Sequence, residues 1–150
     1  MYSLREGQKS DLPRVLELIN ELALYEKAPE QVTNTLERME KEGFGPQPVY
    51  GFFVCVKDNS QEIIGIAVYY YRYSTWKGQT MYLEDIIVTE SMRGKGIGKM
   101  LIEKLIEEAK EKGFKRITWQ VLDWNEPAIN FYKKFNAKFD PEWVNVTIEC

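Results

Sequence analysis

Apolar residues recur with two different periods along this chain, and the changes of period mark its elements. Leu12, Val15, Leu16, Ile19, Leu22 and Ala23 return every three or four residues, which predicts a helix with one buried stripe. Asp11 stands at its cap and Pro13 in its first turn. A short strand over residues 2–5 precedes it, and a polar loop over 25–31, containing Pro29, follows. A second helix is predicted over 33–42, stopping at Gly43. The helical period is then lost. Strands are predicted over 50–57, closed by the turn Asp58-Asn59-Ser60, over 63–73, and over 80–88 after a turn at 76–79. Helical spacing returns with Ile97, Leu101, Leu105 and Ala109, predicting a helix over 96–112 closed by Gly113. Ile117, Trp119 and Val121 alternate as a strand over 115–121. Pro127 opens a last helix ending near Phe135, and Val144, Val146 and Ile148 alternate as a final strand. The order βααβββαβαβ is that of a mixed α/β sheet covered by helices, as a single domain over 1–150.

Composition narrows the chemistry. The chain carries 20 basic and 23 acidic side chains, a net charge of −3, which argues against nucleic acid because that needs a clustered basic face. The longest apolar run, 63–71, is far short of the ~20 residues that span a bilayer, and no leader pattern opens the chain. No membrane and a cytoplasmic setting are therefore expected. Two cysteines, Cys55 and Cys150, make no metal or redox spacing, so no metal is expected. Histidine is absent, which excludes Ser-His-Asp and Cys-His catalysis and His-ligated zinc. Proton transfer must rest on carboxylates, tyrosine, lysine or water.

The most informative stretch is LEDIIVTESMRGKGIG, residues 83–98. An apolar strand ends at Ile86, Ile87 and Val88, and the turn Arg93-Gly94-Lys95-Gly96-Ile97-Gly98-Lys99 leads straight into a helix. Unpaired N–H groups and the positive end of a helix dipole both favour an anion at such a turn, and glycine lets the anion approach the backbone. The spacing fits neither G-x-x-x-x-G-K-[ST] nor G-x-G-x-x-G. It reads R-x-x-G-x-G from Arg93, Gly96 and Gly98, and a diphosphate is the expected ligand.

Together with YLEDIIV from Tyr82, WNEPAINFYKKFNA from Trp124, ELALYEKAPEQV from Glu21 and KEGFG from Lys41, this turn resembles the GNAT-type N-acetyltransferase superfamily. The blocks are most similar to its diamine (spermidine/spermine) acetyltransferase branch. The resemblance implies a mixed, mostly antiparallel central sheet with helices on both faces. The strands ending at Val88 and Val121 are implied to splay apart around acetyl-CoA, the cosubstrate. The implied reaction is acetyl transfer to a primary amine of a small di- or polyamine by direct attack. The same chemistry on a lysine-like amino acid or thialysine, or a non-catalytic acyl-CoA-binding module, are the alternatives. A homodimer is also implied.

Site roles carry over residue by residue. The turn from Arg93 to Lys99 holds the diphosphate, the backbone of Ile86, Ile87 and Val88 holds the pantetheine arm, and Asn125, Glu126, Pro127 and Ala128 make a second cofactor contact. Tyr132 is the implied acid for the departing thiolate. Glu84 faces the amine and helps remove its proton, and Tyr25, Glu26, Thr118, Trp119 and Gln120 contact the acceptor. Because Glu84 and Asp85 are adjacent on a strand, alternation predicts that only one of them faces the site. Phe135 departs from the family's basic residue three positions after the tyrosine, where Lys133 or Lys134 is the available substitute; the family's extra tail beyond the last strand is also missing. The aromatic segment Tyr69, Tyr70, Tyr71, Tyr73 and Trp76 is a candidate interface or pocket wall.

Overall fold

Alternation along each strand decides which helix it meets. In a computed structural model describing residues 1–150, the chain forms two compact units, residues 1–119 and 120–150. The first holds a five-stranded sheet in the order β1 (Tyr2–Glu6), β2 (Gly51–Lys57), β3 (Ile63–Ser74), β4 (Gly78–Val88) and β5 (Ile117–Thr118). Neighbours are antiparallel except β4 and β5, which run parallel. The mixed, mostly antiparallel α/β sheet expected from the sequence is thus present.

Two helices, α1 (Leu12–Tyr25) and α2 (Leu36–Phe44), cover one face. Leu12, Val15, Leu18 and Met39 pack there with Phe52, Val54, Val56 and Ile66. The alternate residues Phe53, Gly65 and Ala67 point to the opposite face, where α3 (Ile97–Glu111) lies. A Cβ on Gly65 would fall 2.9 Å from Ile97 and 3.3 Å from Leu101, so glycine is what lets the helix sit this close. Phe53, Leu101 and Leu105 are essentially excluded from solvent. In the second unit, α4 (Glu126–Lys133) starts at Asn125, whose side chain accepts from the Ala128 N–H at 3.3 Å.

Four expectations change. Asp11 precedes α1 but does not cap it through its side chain. Its carboxylate instead accepts from both terminal guanidinium nitrogens of Arg5, at 2.7 and 2.9 Å, and from the Gln8 N–H at 2.7 Å, which ties β1 to the start of the helix. The second helix starts three residues late because Thr35 caps it, accepting from the Arg38 N–H at 3.2 Å. The strand expected over 115–121 shortens to Ile117–Thr118, where pairing with Met81 and Tyr82 ends. The final strand does not form: Val144, Val146 and Ile148 are 81%, 87% and 85% exposed. Alternation specifies which face a strand would bury, but a strand also needs a hydrogen-bonded neighbour, and this segment has none.

Candidate active site

The glycine turn has the geometry of an anion cradle. Gly94 and Gly96 adopt φ of 78° and 83°, the left-handed region, and a Cβ built on either meets nothing within 4 Å. Gly96 directly precedes α3, whose first helical bond runs from the Met100 N–H to the Gly96 carbonyl at 3.1 Å. The N–H groups of Ile97, Gly98 and Lys99 therefore have no acceptor inside the helix. Lys95 and Lys99 are exposed, and Ile97 is buried as the helix's first core contact. Open space, free donors and a fifteen-residue helix behind them fit a diphosphate.

Arg93, half-exposed at the start of the turn, is held by three contacts. Its Nε donates to the Val88 carbonyl at 3.2 Å, its guanidinium lies 3.7 Å from Glu21, and it sits 5.8 Å from the centre of the Tyr25 ring. It therefore braces the turn against the end of β4 and the last turns of α1. Glu21 also accepts from the Glu90 N–H at 3.3 Å.

Along β4, pairing is one-sided where it matters. Ile86, Ile87 and Val88 pair with Ala67, Ile66 and Gly65 of β3, while the pairing to β5 stops at Tyr82. From Leu83 to Val88 the other edge of β4 has no strand partner, which leaves main-chain groups for a ligand. Thr118 is half-buried on β5 and Trp119 follows it; Gln120, in the second unit, donates to Asn145 at 2.6 Å.

The expectation that Glu84 and Asp85 face opposite sides is overturned. Val68 pairs with Asp85 but Tyr69 pairs with Leu83, so Glu84 is the extra residue of a β-bulge. The bulge breaks the alternation, and both carboxylates line one cavity of about 560 Å³. Its walls are Leu16 and Ile19 of α1, Val68 and Tyr70 of β3, the segment leading into α2, including Asn34, and Arg38 of α2 itself. Burial, then the charges of Glu84 and Glu26, push the Asp85 carboxyl up to about 6. Burial also raises Glu26, at the end of α1. The structure thus makes Asp85 the most perturbed carboxyl, while Glu84 is the more exposed of the two. Asp85 was missed because a bulge leaves no mark in hydrophobic periodicity, and Arg38 and the α2 wall because they join the cavity only through tertiary packing.

The aromatic segment divides. Tyr69 stacks on Phe53 with ring centres 5.3 Å apart, Tyr70 lines the cavity, and Tyr71 meets Phe114 edge-on at 4.9 Å. Only Tyr73 and Trp76, 72% and 85% exposed, stand largely free. In the second unit, Tyr132 is buried on α4, between Phe131 in ring contact with it and the end of the helix. Phe135 packs edge-on against Phe131 at 5.2 Å. No helix is long and apolar enough to cross a membrane.

The first unit thus combines a mixed sheet with a free β4 edge, a glycine cradle at the start of α3 and an acidic cavity lined from α1, α2, β3 and β4. The family model described as Acetyltransferase (GNAT) family matches residues 12–137, and the chain belongs to that family. Members use acetyl-CoA as cosubstrate and act on amines. The thialysine N-epsilon-acetyltransferase of Bos taurus is 40% identical over 141 residues, covering 90% of this chain and 83% of that protein. A spermidine/spermine N(1)-acetyltransferase-like protein 1 of Homo sapiens is 30% identical, covering 91% of this chain but 20% of that protein. An aminoglycoside acetyltransferase from an uncultured soil metagenomic sample, solved with sisomicin, shares the fold with a TM-score of 0.79 at 21% identity, covering 99% of this chain and 96% of that one.

Proposed function

We propose that this chain acetylates the terminal primary amine of a small aliphatic acceptor held in the cavity lined by Glu84 and Asp85. The observation that carries the reading is the bulge, which brings two carboxylates to one cavity, where burial first and then the neighbouring charges push Asp85 up to about 6. Acetyl-CoA supplies a thioester carbonyl carbon. The free N–H groups of Ile97, Gly98 and Lys99 hold its diphosphate, with Lys95 adding charge, and the main chain of Ile86 to Val88 holds the pantetheine arm. Asn125, Glu126, Pro127 and Ala128 are the second cofactor contact; Asn125 also caps α4.

In the acceptor cavity, Glu84 and Asp85 attract the ammonium form, and Asp85 takes up the proton the amine must lose before its lone pair attacks. The new C–N bond forms as the C–S bond breaks; Tyr132 donates its phenolic proton to the departing sulfur, and the second proton, still on the acylated nitrogen, passes through solvent to the phenolate, leaving a neutral amide and a free thiol. A phenol of ordinary pKa near 10 matches a thiolate of similar basicity. Glu26 adds negative field, and Tyr25, Thr118, Trp119 and Gln120 complete the acceptor contacts. A homodimer in which Tyr73 and Trp76 are covered belongs to the same reading, and equilibrium sedimentation tests it: a monomer removes the interface.

Two acceptor classes share this amine. A di- or polyamine suits the carboxylates; a lysine-like amino acid is favoured by the 38–40% identity to thialysine acetyltransferases. The test is CoA-thiol release from acetyl-CoA with spermidine, putrescine, lysine and thialysine. Turnover on any of the four, lost in Asp85→Asn, supports amine acetylation. Retained acetyl-CoA binding with no turnover on any of them sinks it and leaves a non-catalytic acyl-CoA-binding module.

A further inference from the structure

The acceptor cavity carries charges of both signs that do not neutralise one another. Glu84 and Asp85 line it from β4, and Arg38 lines it from α2. Arg38 is in no salt bridge, and the charges acting on Asp85 are those of Glu84 and Glu26 rather than a guanidinium. Next to it, the amide oxygen of Asn34 accepts from the Thr35 N–H at 2.9 Å, which leaves its NH₂ donors available. The same cavity is also lined by the apolar side chains of Leu16, Ile19, Val32, Met39 and Val68.

Building on the amine-acetylating reading above, we infer that Arg38 is a specificity-determining residue that binds the carboxylate of the acceptor. The substrate class is then an α-amino acid with a side-chain amine, and not a diamine. A zwitterionic acceptor places its reactive amine on the acidic side, lays its methylenes along the aliphatic walls and gives its carboxylate to the guanidinium and the Asn34 amide. A diamine of the same length instead brings a second ammonium toward Arg38, and like charges in one cavity disfavour it. The position suits this role mechanically. The Arg38 N–H is fixed by the Thr35 hydroxyl, so the helix cap survives any change of the side chain.

The test compares acceptors that differ only in the carboxylate. L-lysine is paired with cadaverine, and thialysine with its decarboxylated counterpart, S-(2-aminoethyl)cysteamine. The ratio of kcat/KM, amino acid over diamine, is measured for the whole chain and for Arg38→Gln and Arg38→Lys. We expect a ratio above one in the parent chain, a fall of roughly tenfold in Arg38→Gln, as for loss of a charge-assisted hydrogen bond, and partial recovery in Arg38→Lys. A ratio is insensitive to partial unfolding, which lowers both activities together. An Arg38→Gln ratio equal to the parent's, or a parent chain that prefers the diamines, overturns the role of Arg38 while leaving amine acetylation standing. Failure of all four acceptors to turn over in the parent chain overturns this inference; amine acetylation falls with it only if spermidine and putrescine are silent as well.

Discussion

Glu84 and Asp85 are consecutive in the chain, yet both side chains line one cavity, because Glu84 occupies a bulge and Asp85 resumes pairing with Val68. Burial strains the ionised form of Asp85 most, the charges of Glu84 and Glu26 add to that strain, and the carboxyl is pushed up to about 6.

That strain has a sign. A carboxyl whose folded pKa lies above its unfolded value favours the protonated fold, so its cost to stability is present above about 6 and is relieved as pH falls toward 4. Asp85→Asn is expected to stabilise the protein at pH 7.5 by roughly 1–3 kcal/mol, read as a raised thermal midpoint. Activity should fall at the same time, and the rise of kcat/KM with pH through about 6 should disappear from the profile. A variant that keeps the limb assigns it to another group.

The cradle makes a separate prediction. Gly96→Asp forces a side chain into the left-handed region at φ 83° and sets a negative charge where the anion is to bind. Acetyl-CoA affinity, measured by calorimetry, should drop by at least about tenfold, equivalent to ~1.4 kcal/mol. Gly96→Ala carries the backbone strain without the charge and separates the two effects.

Tyr132→Phe removes one oxygen from a buried side chain and keeps the ring against Phe131. If it is the acid for the leaving thiolate, kcat should fall by about 10²-fold or more with only a small change in thermal midpoint. A normal kcat would leave Tyr132 as a core residue.

Fold stability is tested far from the cavity, at Arg5 and Asp11. The guanidinium beside Asp11, more than any other contact, holds that carboxyl below its usual range. Its contribution is present above the unfolded value of about 4 and is lost as pH falls through the lower folded value. Asp11→Ala leaves the half-buried Arg5 without its partner and Gln8 N–H without an acceptor, and should cost about 2–4 kcal/mol in urea unfolding at neutral pH. The loss should shrink as the assay is taken below pH 4.

Much of this protein was legible in its residues because the signals are local. The stripe from Leu12 to Ala23, the apolar runs of 50–57 and 63–73, and the glycines at 94 and 96 each report a backbone state through local sequence alone. They determined the helices, the first four strands and the strand–turn–helix cradle, all of which the structure contains. What the spacing could not determine is anything set by a partner elsewhere in the chain. Whether 144–148 becomes a strand depends on a free edge to pair with, and the pattern by itself supplies none. Asp11 looks like a cap until Arg5, brought alongside on β1, claims its carboxylate. The bulge at Glu84 is a mismatch in length between β3 and β4, a property of two strands together and visible in neither alone. The acidic cavity, and the meeting of its carboxylates with Arg38 from a helix some fifty residues earlier, were therefore decided only when the sheet closed against α1 and α2.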